Sequence, residues 1–190
     1  MTLAFLIYSY FPYGGQQRDF LKVANACLAR GHKVVVYTMK WQGDMPEDLE
    51  VVLVEVKAWS RHALYQRFTT QVTAALQANP VDAVIGFNKM PGLDLYFAAD
   101  PCFAERAHKQ RGFYYRFTPR YRHFMDYEDA VFGADAKTTV LLLSPLQRGQ
   151  FEQYYPHSVQ RFHDIPPGIS RDRQLPENAN EIRARFRQQF

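Results

Sequence analysis

The sequence predicts an α/β domain, a parallel sheet with helices on both faces, on three observations. Its apolar runs are continuous where a half-exposed strand would alternate, as strands buried on two faces require. Stretches with apolar residues at helical spacing alternate with those runs, the order that joins neighbouring parallel strands through helices. Glycine, proline and asparagine punctuate the changes from one to the other.

Taken in order, Leu3 to Tyr8 is a first buried strand, broken at Gly14-Gly15. From Gln16 to Ala29, residues Phe20, Ala24, Cys27 and Leu28 share one helical face, and Gly31 fits the stop. Lys33 to Met39, with Val34-Val35-Val36 at its centre, is a second strand, and Leu49 to Val56 a third. Leu64, Phe68, Val72, Ala75 and Leu76 mark a helix that Asn79-Pro80 ends. Val81 to Phe87 and the short Leu93 to Ala99 are further strands. Thr118-Pro119 is an N-cap with proline at the first helical position, opening a helix to about Phe132; Ser144-Pro145 repeats the signal for a helix to about Tyr154. Between those helices lies a strand from Thr138 to Leu143, and Phe162 to Ile165 is the last strand, closed by Pro166-Pro167-Gly168. Beyond it the chain turns polar, then basic and helical from Asn180 to Phe190. This gives one domain over residues 1–168 and, over 169–190, a linker and a first helix toward something further.

Composition narrows the classes. The chain has 190 residues, 47% hydrophobic and 22% charged, ordinary for a domain with a real core. Aromatics reach 15%, which favours stacking surfaces, sugar contacts or a membrane interface. Cys27 and Cys102 make no disulfide framework and no metal-spaced cluster, so reduced, idle thiols and a cytosolic setting are expected. A net charge of +4 suits anionic partners without naming one. No stretch approaches the ~20 apolar residues of a membrane span, and the N-terminus reads as a strand, not a signal peptide.

Four segments carry candidate chemistry. Tyr10-Phe11-Pro12-Tyr13-Gly14-Gly15 leads from the first strand into the first helix. Ligands of open α/β sheets sit at carboxyl ends of strands, paired glycines admit close approach, and a helix N-terminus favours an anion such as a diphosphate. Asp19 is expected in the first turn of that helix, where it can bind a sugar hydroxyl or compensate the helix dipole. The segment is not G-x-G-x-x-G, which disfavours a nicotinamide site. Gly86-Phe87-Asn88-Lys89-Met90-Pro91-Gly92 follows another strand: Asn88 suits hydroxyls, Lys89 suits a phosphate, and Asp100 closes the next strand as either a functional carboxylate or a helix cap. From Phe103 to Phe124 the chain sets Arg106, Lys109, Arg111, Arg116, Arg120 and Arg122 against Glu105 alone, interleaved with aromatics including Tyr114 and Tyr121. That mixture suits an anionic bilayer, where each cation contributes ~1 kcal/mol; it also suits a single-stranded nucleic acid, or aromatics that are partly core. The fourth segment, Ile165-Pro166-Pro167-Gly168-Ile169, is a rigid turn followed by Arg171 and Arg173.

In this order the segments resemble one family. Tyr10 to Gly15 with Gln17-Arg18-Asp19-Phe20, the Gly86–Asp94 stretch, Tyr96-Phe97-Ala98-Ala99-Asp100, Tyr121-Arg122-His123 and Pro166-Pro167-Gly168-Ile169 are similar to the bacterial lipopolysaccharide core glucosyltransferases of retaining glycosyltransferase family 4. The resemblance covers essentially the whole chain. It implies the N-terminal half of a two-Rossmann-domain (GT-B type) enzyme that moves glucose from UDP-glucose to an inner-core heptose with retention of configuration. Asp19 and Asp100 become the catalytic candidates, Gly14, Gly15 and Arg173 the donor diphosphate contacts, and Asn88 and Lys89 acceptor contacts. It also implies a membrane surface within Phe103–Phe132, carried by Arg106, Lys109, Arg111, Tyr114, Arg116, Arg120, Tyr121 and Arg122. The expected setting is cytoplasmic, peripheral on the inner face of the inner membrane, with a lipopolysaccharide core acceptor and a UDP-sugar as partners. No metal, no cofactor beyond the donor sugar nucleotide and no nucleic acid are expected. The family's paired glutamates belong to a C-terminal domain that this sequence does not contain, so the chain alone is expected to be inactive. A non-catalytic peripheral membrane-binding module is the alternative.

Overall fold

A computed structural model of the protein describes residues 1–165 and 178–188. The elements run in chain order as β1 (Thr2–Leu6), α1 (Gly15–Leu28), β2 (Lys33–Thr38), β3 (Glu50–Leu53), α2 (Arg61–Ala78), β4 (Ala83–Gly86), β5 (Leu95–Ala98), α3 (Phe103–Gln110), α4 (Pro119–Phe132), β6 (Thr139–Leu142), α5 (Pro145–Tyr154), β7 (Phe162–Asp164) and α6 (Ala179–Gln188). Short 3-10 helices at Phe113–Phe117 and Pro156–Arg161 precede α4 and β7.

Among the described residues the strands form one seven-stranded sheet in the order β3-β2-β1-β4-β5-β6-β7, every pairing parallel. The apolar runs explain this. Along β1 the pleat sends Leu3, Phe5 and Ile7 to one face and Ala4 and Leu6 to the other, and all are buried. On the first face they pack with Phe20 and Ala24 of α1, Val34, Val36 and Phe87. On the second, the core joins Phe68 and Val72 of α2, Val131 and Phe132 of α4 and Phe151 of α5. Phe132 and Phe151 stack with centroids 3.9 Å apart, which locks α4 against α5.

Helix starts follow the caps read from the sequence. Thr118 accepts from Tyr121 N at 3.1 Å and Ser144 from Gln147 N at 3.2 Å, each with proline next. Ser60, which was not singled out in the sequence, caps α2 by accepting from Ala63 N. Gly31, at φ 80°, ends α1 by donating to the Leu28 carbonyl at 2.8 Å. Strands are shorter than the apolar runs: the Leu49–Val56 run pairs only over Glu50–Leu53, because it is an edge strand laddered on β2 alone.

α3 begins three residues beyond Asp100, the residue that the sequence offers as a possible helix cap. Its N-cap residue, Cys102, makes no side-chain cap. The carboxylate of Glu128, one helix away on α4, accepts instead from Phe103 N at 2.6 Å and Ala104 N at 2.8 Å. A cap supplied from 24 residues downstream is not announced by the local sequence, where Asp100 is the nearer candidate.

Candidate active site at the sheet switch point

The strand order reverses between β1 and β4, and in open α/β sheets the crevice beyond the strand ends at such a point receives the ligand. Here two chain segments leave side by side. The Tyr8 backbone N–H, just past β1, donates to Asn88 Oδ1, just past β4, at 3.0 Å. Asn88 Nδ2 in turn donates to Asp100 Oδ2, just past β5, at 3.4 Å, and the Tyr96 hydroxyl donates to the same oxygen at 3.4 Å. Burial and the nearby Asp100 charge hold the Tyr96 phenol well above its ordinary pKa, so it stays a donor. Asp100 is therefore a carboxylate set by neighbouring strands, and the cap of α3 comes from Glu128, not from it.

Asp100, Asn88 and Lys89 line a cavity of about 290 Å³, close to the ~300–1,000 Å³ of small-molecule sites. Its walls are aromatic, with Tyr8, Tyr65, Phe103, Phe124 and Tyr127, and its rim carries Arg61, Arg106 and Arg120. Tyr8 and Tyr65 stack at 3.9 Å and Phe103 lies 5.4 Å from Phe124, so these walls brace one another. A second cavity of about 180 Å³ adjoins it, sharing Phe103, Arg106, Arg120 and Phe124 and continuing to Arg111 and Tyr115.

Lys89 lies in the cavity wall with its ammonium already engaged. It forms a buried ion pair with Glu128 and donates to the Pro101 carbonyl at 2.7 Å. Glu128 is fully buried and also accepts from the Tyr155 hydroxyl at 3.0 Å. Five donors thus converge on one carboxylate, Cys102 Sγ at 3.7 Å being the weakest. Burial, reinforced by Glu128, pushes the Cys102 thiol up to about 12, so it is chemically idle. Glu128 was not singled out in the sequence; the only hint was an acidic residue in the apolar stripe of α4.

The glycine segment sits on the other side of the β1 end. Gln16 Nε2 bonds the Phe87 carbonyl and Gln17 Nε2 the Ser9 carbonyl at 3.3 Å, pinning the start of α1 over the ends of β1 and β4. A Cβ on Gly14 would collide with the Gln17 side chain and the Phe11 ring, while Gly15 faces open space. The helix begins at Gly15, so Asp19 falls in its second turn, not the first as expected. Gly14, Gly15 and Asp19 do not line the Asp100 cavity. Arg173, the Pro166–Ile169 turn and the 168/169 boundary lie outside the described residues.

The cationic segment divides. Arg106 and Arg120 belong to the cavity. Lys109 pairs with Glu105 at 2.6 Å, and Arg111 lies over Tyr115. Arg116 and Arg122 are exposed, as is Tyr114, while Tyr121 is half-buried. Phe113, Tyr114 and Phe117, on the 3-10 helix, are 64% or more exposed, an apolar cluster in open water. No described helix is long and apolar enough to cross a membrane. Among the described residues no three His, Cys, Asp or Glu side chains gather as a metal site would require.

Over 188 residues the chain is 44% identical to the lipopolysaccharide glucosyltransferase WaaG of Escherichia coli (strain K12), covering 99% of this chain and 50% of that protein. The chain is homologous, end to end, to one half of WaaG. A crystal structure of WaaG, described as a glycosyltransferase involved in lipopolysaccharide biosynthesis, superposes with a TM-score of 0.89 at 42% identity, over 98% of this chain and 51% of that one. The fold expected from the sequence therefore holds: an N-terminal Rossmann-like domain of the WaaG, GT-B kind. A glycosyltransferase from Rickettsia africae ESF-5 shares the fold alone, with a TM-score of 0.56 at 12% identity, 98% of this chain and 49% of that one. No protein-family model matches the chain.

Proposed function

We propose that this chain is the acceptor-binding half of a retaining lipopolysaccharide core glucosyltransferase that takes glucose from UDP-glucose to an inner-core heptose. The observation that carries the reading is Asp100. A half-buried carboxylate, oriented by Asn88 and Tyr96 at the switch point, opens into an aromatic-walled cavity. Such a group accepts a hydrogen bond from a sugar hydroxyl, and the aromatic walls receive the apolar face of a ring. The 44% identity to WaaG supplies the reaction class.

In this reading the second domain brings the UDP-glucose, and the N-terminus of α1 at Gly14-Gly15, open at Gly15, meets its diphosphate. The glucosyl C1–O bond to the diphosphate breaks while a C1–O bond to the acceptor hydroxyl forms on the same face. The acceptor proton passes to the leaving diphosphate oxygen. Asp100 orients and polarises the acceptor hydroxyl, and Asp19 orients the reacting sugars; neither is a nucleophile. Positioning of both substrates is the main source of rate, so half of the pair of domains is expected to be inactive. The chemistry calls on no metal and no cofactor besides the donor.

The exposed Phe113, Tyr114 and Phe117, flanked by Arg111, Arg116 and Arg122, suit the anionic inner face of the cytoplasmic membrane. The second cavity shares Arg111 with that surface and Phe103, Arg106, Arg120 and Phe124 with the Asp100 cavity, a route that suits a lipid-linked saccharide. The membrane-module alternative gives the Asp100 cavity no task. Asp100→Ala in the two-domain enzyme is expected to cut glucosyl transfer by about a hundredfold or more, as loss of an orienting group does. Unchanged turnover would remove Asp100 from the mechanism.

A further inference from the structure

The rim of the Asp100 cavity holds more positive charge than hydroxyl recognition needs. Lys89 is neutralised by Glu128, which leaves the guanidiniums of Arg61, Arg106 and Arg120 against the carboxylate of Asp100. Among the described residues, none of these three arginines forms a salt bridge. They come from three different helices, α2, α3 and α4, so no single charged helix face explains them.

Two of them also sit where a helix disfavours a cation. Arg61 is the first residue of α2 and Arg120 the second of α4, and neither helix has an acidic residue in its first turn. Each guanidinium therefore adds to the positive end of a helix dipole instead of offsetting it. An anion in the cavity would relieve both at once. Arg120 is held in place over the Phe124 ring, 5.5 Å from its centroid, which keeps its planar fork at the cavity rim.

We infer that this cavity is a subsite for a phosphomonoester borne by the saccharide acceptor, clamped by Arg61, Arg106 and Arg120 while Asp100 holds a hydroxyl of the same ligand. This rests on the acceptor reading above and narrows it to an anionic sugar. The charges match: three arginines and one aspartate leave an excess near that of a phosphomonoester, about −1.5 to −2 at neutral pH. Guanidiniums bind phosphoryl oxygens through paired, charge-assisted hydrogen bonds, which an ammonium does not reproduce.

The test is calorimetric titration of the intact chain with two lipid-free probes, a heptose-containing saccharide carrying one phosphomonoester and the same saccharide after phosphatase treatment, at fixed ionic strength. The phosphorylated probe is expected to bind about tenfold tighter or more. Arg61→Gln, Arg106→Gln and Arg120→Gln should each erase most of that advantage, bringing the affinities for the two probes to within about twofold of each other. Arg30→Gln, at the far end of α1, should change neither. The three arginines are exposed, so thermal midpoints of the variants should match the parent and separate lost binding from lost fold. Equal binding of the two probes overturns the phosphate subsite and leaves the acceptor reading standing. If neither probe binds, both readings fall, and vesicles containing phosphatidylglycerol that bind the parent but not the arginine variants would assign the arginines to lipid headgroups.

Discussion

Glu128 shows how much one side chain fixes in this domain. Its carboxylate is fully buried, neutralises Lys89, caps α3 through two backbone N–H groups and accepts from Tyr155. Removing one member of a buried pair strands the other charge, which costs ~3–5 kcal/mol. Glu128→Ala is expected to lower unfolding stability by about that amount, read from the urea midpoint, and to weaken acceptor binding because α3 carries Phe103 and Arg106 into the cavity. His123 gives a second prediction at this scale. Burial, with His62 adding and Asp126 opposing, pushes its imidazole down to about 4 from 6.5, and among the described residues Nε2 has no hydrogen-bond partner. Above pH 6.5 folded and unfolded states are alike neutral there. As pH falls toward 4 the unfolded chain gains a proton that the folded one refuses, so stability declines through that window. His123→Phe should flatten this part of the thermal-midpoint profile between pH 6.5 and 4, and an unchanged slope would contradict it.

Among elements, the helix signals with local causes were legible and those with remote causes were not. Thr118-Pro119 and Ser144-Pro145 declared α4 and α5 because a cap hydroxyl and a proline act within one turn. α3 was legible only as a possible start at Asp100-Pro101, because its cap comes from α4, and the 3-10 helix at Phe113–Phe117 was not legible because a run of aromatics has no helical face to read. The same limit applied to charge. Spacing could show that Arg106, Lys109, Arg111, Arg116, Arg120 and Arg122 cluster, but only the fold shows that Arg106 and Arg120 turn into a cavity while Lys109 pairs with Glu105. The exposed part of this segment carries its own prediction. Replacing Phe113, Tyr114 and Phe117 together with serine should weaken binding to anionic vesicles at least tenfold, since each buried aromatic contributes ~1.5–3 kcal/mol. Replacing Arg116 or Arg122 should cost about fivefold each, from ~1 kcal/mol per cation, and less at high salt. Vesicle co-sedimentation reads both, and unaltered binding in the aromatic variant would place the membrane contact elsewhere.

At the scale of the molecule, the sheet order determines where chemistry is placed. The reversal between β1 and β4 brings Tyr8, Asn88 and Asp100 to one level beyond the strand ends, residues 80 and 12 positions apart in the chain. The sequence showed Asn88, Lys89 and Asp100 as candidates because each follows an apolar run, and the fold joins them in one cavity. Gly14, Gly15 and Asp19 do not line that cavity; they stand at the start of α1. The chain spans 50% of the length of its WaaG relative. Under the proposed function, transfer needs a donor-binding domain facing this one. The most direct measurement is glucosyl transfer from UDP-glucose to heptose-terminated lipopolysaccharide, comparing this chain alone with the chain joined to the remaining half of WaaG, each with and without Asp100→Ala. Transfer by the joined protein only, lost with Asp100→Ala, is the expected result. Transfer that survives Asp100→Ala, or a joined protein that folds and binds UDP-glucose yet never uses this acceptor, would contradict it.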